Sequence, residues 1–467
     1  MRPSASSAAT LTLAASDDPD PAILAHHYAT AEIHHKAAEN FLSAGLRAIG
    51  LSALAEAVHK LERALMEVEA VDAGTDRDAL ELDIRIALGT ARMALFGWPH
   101  SSVSDALVPA FNLAEDSSRQ QAFGPILWGL CVHYWTRSEF EPTLHWLDKL
   151  ESIADAAEDA ELSAVRDMTA GCQYFWQAEY ERARRYTTHI RNTYDEQANA
   201  HIVTYCNHDP LVFSLHWAGA LLEWITGYPD KSLEIAEEAV ELARRLGHPF
   251  NSAFALTAGC ECMAECGETR RFLEYCDEAD AIIEEQALGE FARNMMTNNW
   301  RGRALILQGE FESGYAFTAR SNEFWKVVGG RVCSGLFWSS EALALHGMDR
   351  RQQATRLIGQ AIDYCRETSD CWMEPELLRI KGEFLLDQDD PQPQMAENAF
   401  TEGLELARAQ GAKSWELRAA TSLAKLWQSQ DREPKARELI TPIYEWFTEG
   451  SDTVDLKAAK VLVEQLS

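Results

Sequence analysis

Basic residues are scarce in this chain: 42 lysines and arginines stand against 73 aspartates and glutamates in 467 residues, a formal net charge of −31 at pH 7. Such a balance repels nucleic-acid phosphate and anionic membrane surfaces, and it makes basic segments of protein partners the natural electrostatic match. Cysteine is also sparse, ten in all with no CxxC pair, which excludes a disulfide scaffold and a structural zinc site and fits a reducing, cytoplasmic compartment. No apolar run approaches the roughly eighteen residues that a membrane helix needs. The early LTLAA is too short for a secretory core, so residues 1–20 are expected to form a disordered leader. Also missing are the GxxxxGK[ST] phosphate loop, the GxGxxG dinucleotide fingerprint, HExxH and the GxSxG nucleophile elbow. These absences exclude the enzyme classes that such motifs define; no cofactor, metal ligand or catalytic residue is assigned.

What the chain does have is a period. Gly227, Gly267, Gly309 and Gly347 follow one another at steps of 40, 42 and 38, each between two amphipathic stretches. A second series, Gly247, Gly289, Gly330, Asp370, Gly411 and Gly450, runs at steps of 42, 41, 40, 41 and 39. The first series reads as the turn inside a helical hairpin and the second as the link to the next hairpin. Ser138 and Gln177 stand at similar turn positions further upstream. A hairpin cannot bury its own apolar face and must stack on its neighbours, so a chain of this length built this way is an extended array and not one globule.

The block 211–247 shows the unit. Leu215, Ala218, Leu222 and Ile225 mark one face of the first helix, and Leu233, Ala236, Val240 and Ala243 one face of the second. Between them, GYPDK supplies a turn glycine, a helix-starting proline and an acid near unpaired backbone N–H groups. Later units are expected at 250–267 with 270–288, 291–309 with 311–328, 331–347 with 350–368, 373–387 with 394–410, and 413–429 with 432–448. A capping helix is expected near 453–466. Upstream, the patterns predict helices over about 22–48 with a break near a histidine pair, then 51–70, 78–96, 103–115 and 120–137. The organisation expected is a leader over 1–20, N-terminal helical repeats over 21–200, regular repeats over 201–451 and a cap over 452–467.

Two features point to a binding face. Nine of the fourteen tryptophans, among them Trp217, Trp224 and Trp300, fall in or beside first-position helices, which line the concave side of a superhelical stack. Most are expected to pack between repeats, with Trp217 and Trp224 as candidates for a groove. Arg301, Arg303, Arg320 and Lys326 would add a basic patch if they face inward. The step from Gln177 to Gly227 is longer than the period, and the excess holds His201, Tyr205, Cys206, His208 and Asp209. Insertions in solenoids often project from the binding face, which makes Tyr205, His208 and Asp209 candidate contacts. HDP also reads as a turn and amino-terminal cap for the helix that follows, which is the plainer account of these residues. The histidines 26, 27, 34 and 35, and the thiols of Cys260, Cys262 and Cys266, read as packed or half-exposed side chains.

The stretches LAHHYATAEIHHKAAENFLSAGLRA, ALGTARMALFGW, the HDP…GYPD…LGHPF block, NNWRGRALILQGEFESGYA, PELLRIKGEFLL and the closing AKSWELRAATSLAKLWQSQ…IYEWFTEG block resemble tetratricopeptide arrays. They are more closely similar to the carboxy-terminal repeat region of bacterial proteins that join a class III adenylate/guanylate cyclase or a transcriptional activator domain to an AAA/STAND ATPase. That resemblance covers about residues 22–465 and implies a sensor or scaffold region that binds a protein or effector and controls a linked catalytic domain. The catalytic domains themselves have no match, and hairpins longer than the standard tetratricopeptide unit leave no peptide-carboxylate clamp to carry over. The expected fold is all-α, a right-handed α-α superhelix of ten to eleven hairpins. The expected function is a non-catalytic scaffold that binds a protein segment or effector on its concave face. The alternative is a helical-repeat enzyme, or a small-ligand or metal-binding sensor, with its site near the 201–209 insertion around His201, Cys206 and His208.

Overall fold

The computed structural model describes residues 20–51, 53–117 and 119–467. The leader expected over residues 1–20 therefore lies outside the described residues except for Asp20, whose carboxylate accepts from the Ala22 amide at 2.9 Å and caps the first helix. The described residues contain helices and no strand, and the helices pair into ten hairpins preceded by Pro21–Thr30 and closed by Val454–Gln465. The chain is an all-α helical-repeat solenoid of tetratricopeptide-like hairpins.

It divides into two compact units. The first contains the helices Pro21–Thr30, His34–Gly50, Leu54–Glu69, Thr75–Phe96, Ser102–Glu115 and Phe123–Thr136, and most of Phe140–Ala157. Its amino-terminal core joins Ala25, Ala38 and Phe41 to Ala64, Val68, Leu80 and Ile84, small residues alternating with large so that the axes come close. The break between the histidine pairs is real: Thr30 ends one helix and His34 opens the next, where its Nδ1 meets Glu67 Oε2 at 2.8 Å.

The second unit takes residues 138–140, 163–327 and 331–467. The change in regularity expected at residue 200 falls inside it. Ala160–Trp176 and Tyr180–Thr193 already stack on the next hairpin, where the Thr187 hydroxyl donates to the Ala218 carbonyl at 2.9 Å. The next pair is a broken first helix, Pro210–Ser214, His216–Leu221 and Leu222–Ile225, against Pro229–Leu246. After it come Pro249–Leu256 and Glu261–Cys266 with Thr269–Glu285, then Gly289–Ala292, Arg293–Asn298 and Asn299–Leu307 with Phe311–Val327. Ser334–Gly347 with Arg351–Thr368, Glu374–Leu386 with Pro393–Gln410, and Lys413–Ser429 with Glu433–Glu445 complete the series. These boundaries follow the expected units to within a few residues, apart from the broken first helices.

The period resides in the backbone more strictly than in glycine. Left-handed φ recurs inside the hairpins at Ser138, Ala178, Gly227, Gly267, Gly309, Asp349 and Asp431, and between them at Gly247, Gly289, Gly329, Ser369, Gly411 and Gly450. The expected marker thus moves to the adjacent position at Gln177, Gly330 and Asp370. Gly347 lies inside its helix, where the Phe311 ring would come within 2.4 Å of a Cβ, and Asp349 makes the turn instead.

The hairpins of this unit also touch out of sequence. Trp224 packs edge-on against Trp415 at 4.7 Å, Trp176 lies 6.0 Å from Trp372, and the Cys371 amide donates to the Trp176 carbonyl at 3.1 Å. First helices that are far apart in the chain therefore meet across the inner side of the stack.

Candidate interaction site

Where those inner helices converge they surround a cavity of about 310 Å³. Its wall takes Glu265 from Glu261–Cys266, Arg303 from Asn299–Leu307, Glu376, Arg379 and Glu383 from Glu374–Leu386, Arg418 and Lys425 from Lys413–Ser429, and Asp455 from the capping helix. Separate hairpins thus each give part of their first helix to a common charged lining.

The interior charges are closely matched. Arg303 is 6% exposed; its Nε donates to Glu261 Oε1 at 2.6 Å, its Nη1 to the Ser340 hydroxyl at 3.1 Å, and its Nη2 to Glu265. Arg418 meets Glu265 and Asp455, both at 2.8 Å, and Glu376 at 3.5 Å, while its guanidinium lies over the rings of Trp224 and Trp415. Arg379 grips Glu376 through two parallel bonds of 2.7 and 2.8 Å. Burial pushes the Glu261 carboxyl up to about 8 against the pull of Arg303. Burial acts on Glu265 in the same direction, but Arg303 and Arg418 together outweigh it and hold that carboxyl low, at about 2. The two carboxyls are thus driven in opposite directions, Glu261 upward by burial and Glu265 downward by its two guanidiniums.

The mouth differs from the interior. Lys425 is exposed and forms no ion pair among the described residues. Glu383 is half-exposed and takes the Ser422 hydroxyl at 2.6 Å and Arg379 at 3.4 Å on one and the same oxygen. Leu307, 44% exposed, and Leu343 give the mouth an aliphatic edge. A free cation, a reachable carboxylate and an apolar lip are the ingredients for holding a polar segment in one orientation.

The residues singled out in the sequence are placed as follows. Trp217 and Trp224 are 7% and 2% exposed. Trp217 sits among Trp176 at 4.7 Å, Trp300 at 5.7 Å and Phe175 at 6.3 Å. Arg301 turns to the preceding second helix and pairs with Asp277 at 2.8 Å and Asp280 at 2.7 Å. Its neighbour Arg303 is the one that enters the cavity, and Arg320 pairs with Glu290 elsewhere. Asp209 caps Pro210–Ser214 by accepting from the amides of Leu211 and Val212, both at 3.0 Å, and takes the Tyr194 hydroxyl on its other oxygen at 2.6 Å. His208 is fully buried with its ring 4.4 Å from Phe254, and burial holds its pKa well below the ordinary value. Tyr205 and Cys206 are buried and His201 is exposed. Among the described residues no three or more His, Cys, Asp or Glu side chains gather in a way that would hold a metal ion.

Periodicity did not single out Glu265, Glu376, Arg379, Arg418 or Asp455. A charged residue recurs at a similar place in the later first helices, in WRGRAL, PELLRIKGE and WELRAA, a signal that reaches Glu376, Arg379 and Arg418 but not Glu265 or Asp455.

No protein-family model matches the chain. An uncharacterized protein of Rhizobium meliloti (strain 1021) is 22% identical over 423 residues, which are 87% of this chain and 39% of that protein. The chain thus spans about two fifths of the length of that relative. Among solved structures, a Rap protein complexed with Competence and Sporulation Factor overlaps 93% of this chain and 100% of its own at 12% identity and a TM-score of 0.40. Yeast Tom70 overlaps 98% of this chain and 96% of its own, also at 12% identity and 0.40. A STAND protein with a tetratricopeptide repeat sensor from Pyrococcus horikoshii overlaps 88% of this chain and 55% of its own at 11% and 0.31. The fold rests on the hairpin stacking described above and not on these overlaps. No helix among the described residues is long and apolar enough to cross a membrane.

Proposed function

We propose that the chain is a non-catalytic interaction module whose inner wall receives a segment of a protein partner or an effector, and that this binding controls a signalling or transcriptional protein. The observation that carries the reading is the cavity: five first helices and the cap converge on one charged lining, and its mouth keeps an exposed ammonium, a reachable carboxylate and aliphatic surface. A segment bearing an acidic side chain for Lys425, a basic one for Glu383 and an aliphatic residue for Leu307 and Leu343 fits that mouth. The net charge of −31 favours a partner whose flanking sequence is basic. Trp217, Trp224, Arg301 and the 201–209 segment enter as the frame that positions this wall, with the two tryptophans becoming contacts where the wall opens.

The test is recovery of a partner from host extract by the wild-type chain, by Lys425→Glu and Leu307→Asp, and by the outer-face control Arg270→Glu, whose side chain is 92% exposed. Loss in the two mouth variants with recovery in the control supports the proposal. Equal recovery by all four proteins rejects it.

A further inference from the structure

Solenoid hairpins ordinarily touch only their neighbours, yet here the loop after the last hairpin grips a turn from much earlier in the chain. The Glu449 carboxylate accepts from the backbone amides of Asp230 at 3.0 Å and Lys231 at 3.1 Å, at the start of Pro229–Leu246. In return, the Gly450 amide donates to the Asp230 carboxylate at 3.1 Å. Each acid satisfies the backbone beside the other. The Trp446 ring lies over the same turn, 5.9 Å from the Tyr228 ring, with the Lys413 ammonium 5.1 Å from its centroid. Both approaches require glycine. A Cβ on Gly227 would come within 2.4 Å of Trp446, and one on Gly450 within 2.0 Å of Pro229. Just inside this clasp, the Ser414 hydroxyl donates to the Trp224 carbonyl, and Trp415 covers the Trp224 ring.

The clasp is built from parts that release readily. The Glu449 bonds are solvent-exposed and Trp446 is 39% exposed, whereas Trp224 and Trp415 behind it are 2% and 1% exposed. Hydrogen bonds at such a surface exchange with water at small net cost. Arg418 connects the two layers, since it lies over both buried tryptophans and also lines the cavity.

We infer that residues 446–450 and 227–231 form a latch over the inner wall, and that a partner reaches Trp224, beneath the Arg418 guanidinium that lines the cavity, only after this latch opens. The inference rests on the interaction reading above and assigns its regulation. Opening separates the Glu449 carboxylate from the two amides and lifts Trp446 from Gly227. It leaves the neighbour-to-neighbour stacking of the hairpins intact.

The experiment uses the full chain in three forms: wild type, Trp446→Ala with Glu449→Ala, and Lys231→Cys with Glu449→Cys oxidised to a disulfide. Glu449→Gln serves as a milder opened form in case the double alanine variant loses helicity. Hydrogen exchange at the amides of residues 230–231 and acrylamide quenching of tryptophan read the latch without any partner. The expected result is exchange about ten-fold faster or more in the opened forms, with circular dichroism unchanged and, in Glu449→Gln, which keeps Trp446, quenching increased. Unchanged exchange and quenching in both opened forms overturns the latch. Partner recovery is expected to rise in the opened form and fall in the oxidised form, then return on reduction. If exchange responds as expected while recovery is the same in opened, oxidised and reduced proteins, the regulatory inference fails. The interaction reading is judged separately, by Lys425→Glu.

Discussion

Polar side chains gather in two parts of the C-terminal unit, and they are satisfied in different ways. In the segment 194–216, Asp209 gives one oxygen to two backbone amides and the other to Tyr194, and His208 and His216 sit neutral against Phe254. That segment settles its polar groups within its own turn and on the hairpin that follows, where Asn251 accepts the Asp209 amide and the Phe254 carbonyl meets the His216 ring. In the cavity the partners come from other hairpins: Glu265 meets Arg303 and Arg418, and Arg418 meets Asp455. A polar cluster that is local in sequence shapes its own turn, whereas one assembled from successive repeats ties those repeats together and ends in a shared opening.

The sharpest way to break this contrast is to remove a cavity cation. Arg303→Met leaves Glu261 without its guanidinium and Glu265 with Arg418 alone, and a loss of about 3 kcal/mol, the low end for a broken buried pair, is expected in urea unfolding followed by circular dichroism. A loss under about 1 kcal/mol would show the lining to be solvated and the contrast false. The turn glycines offer the next step. Gly227 has φ +97° and sits under Trp446, while Gly247 has φ +70° with nothing within 4 Å of its missing Cβ. Gly227→Ala is expected to cost about 2–3 kcal/mol and Gly247→Ala about 1 kcal/mol in the same assay. Equal costs would mean that Trp446 does not press on the turn.

Acidification separates the buried histidines from a buried carboxyl by sign. Burial depresses His208 strongly and His216 to about 3, so between the ordinary histidine value near 6.5 and the folded values the unfolded chain binds protons that the folded chain refuses. Stability contributed by these rings is present above about pH 6.5 and falls by up to about 1.4 kcal/mol per histidine for each pH unit below it. Asp370, bonded to the Cys333 amide of the preceding link, acts oppositely. Burial raises it to about 7 despite the Tyr364 hydroxyl and that amide, so its contribution is complete below its unfolded value of 3.8 and is lost as pH rises through 7. His216→Leu should flatten the acid limb of a stability curve, and Asp370→Asn the limb between those two values; curves parallel to wild type would contradict both assignments. The smallest effect is expected at Arg301, which pairs with the exposed Asp277 and the partly exposed Asp280 at the edge of the preceding second helix. Arg301→Ala should change stability by about 0.2–1 kcal/mol and leave partner recovery unaltered, since its charge is spent on the outer helices. A larger loss of partner would return Arg301 to the binding face.

Much of the fold was legible because a repeating turn constrains the backbone more tightly than the residue. The hairpin from 211 to 247, the five that follow and the cap all stand where the two series place them. The markers at Gly330 and Asp370 lie just late because Gly329 and Ser369 carry the left-handed φ. The inner face was harder to read. Arg293–Asn298 and His216–Leu221 are π-helical turns, each holding an extra residue and rotating everything after it relative to a 3.6-residue count. Counting through such a turn cannot decide between Arg301 and Arg303. The contacts of Trp224 with Trp415 and of Glu449 with Asp230 were invisible for another reason: periodicity reports what a helix offers to its neighbours, and these partners are fixed by how far the stack curves.

The meeting of residues 446–450 with residues 227–231 alters how this unit comes apart. An open row of repeats frays from its ends, each departing hairpin costing only one interface. Here the Lys413–Ser429 pair cannot leave without uncovering Trp224 on a hairpin much earlier in the chain, so its departure costs contacts on two hairpins and not one.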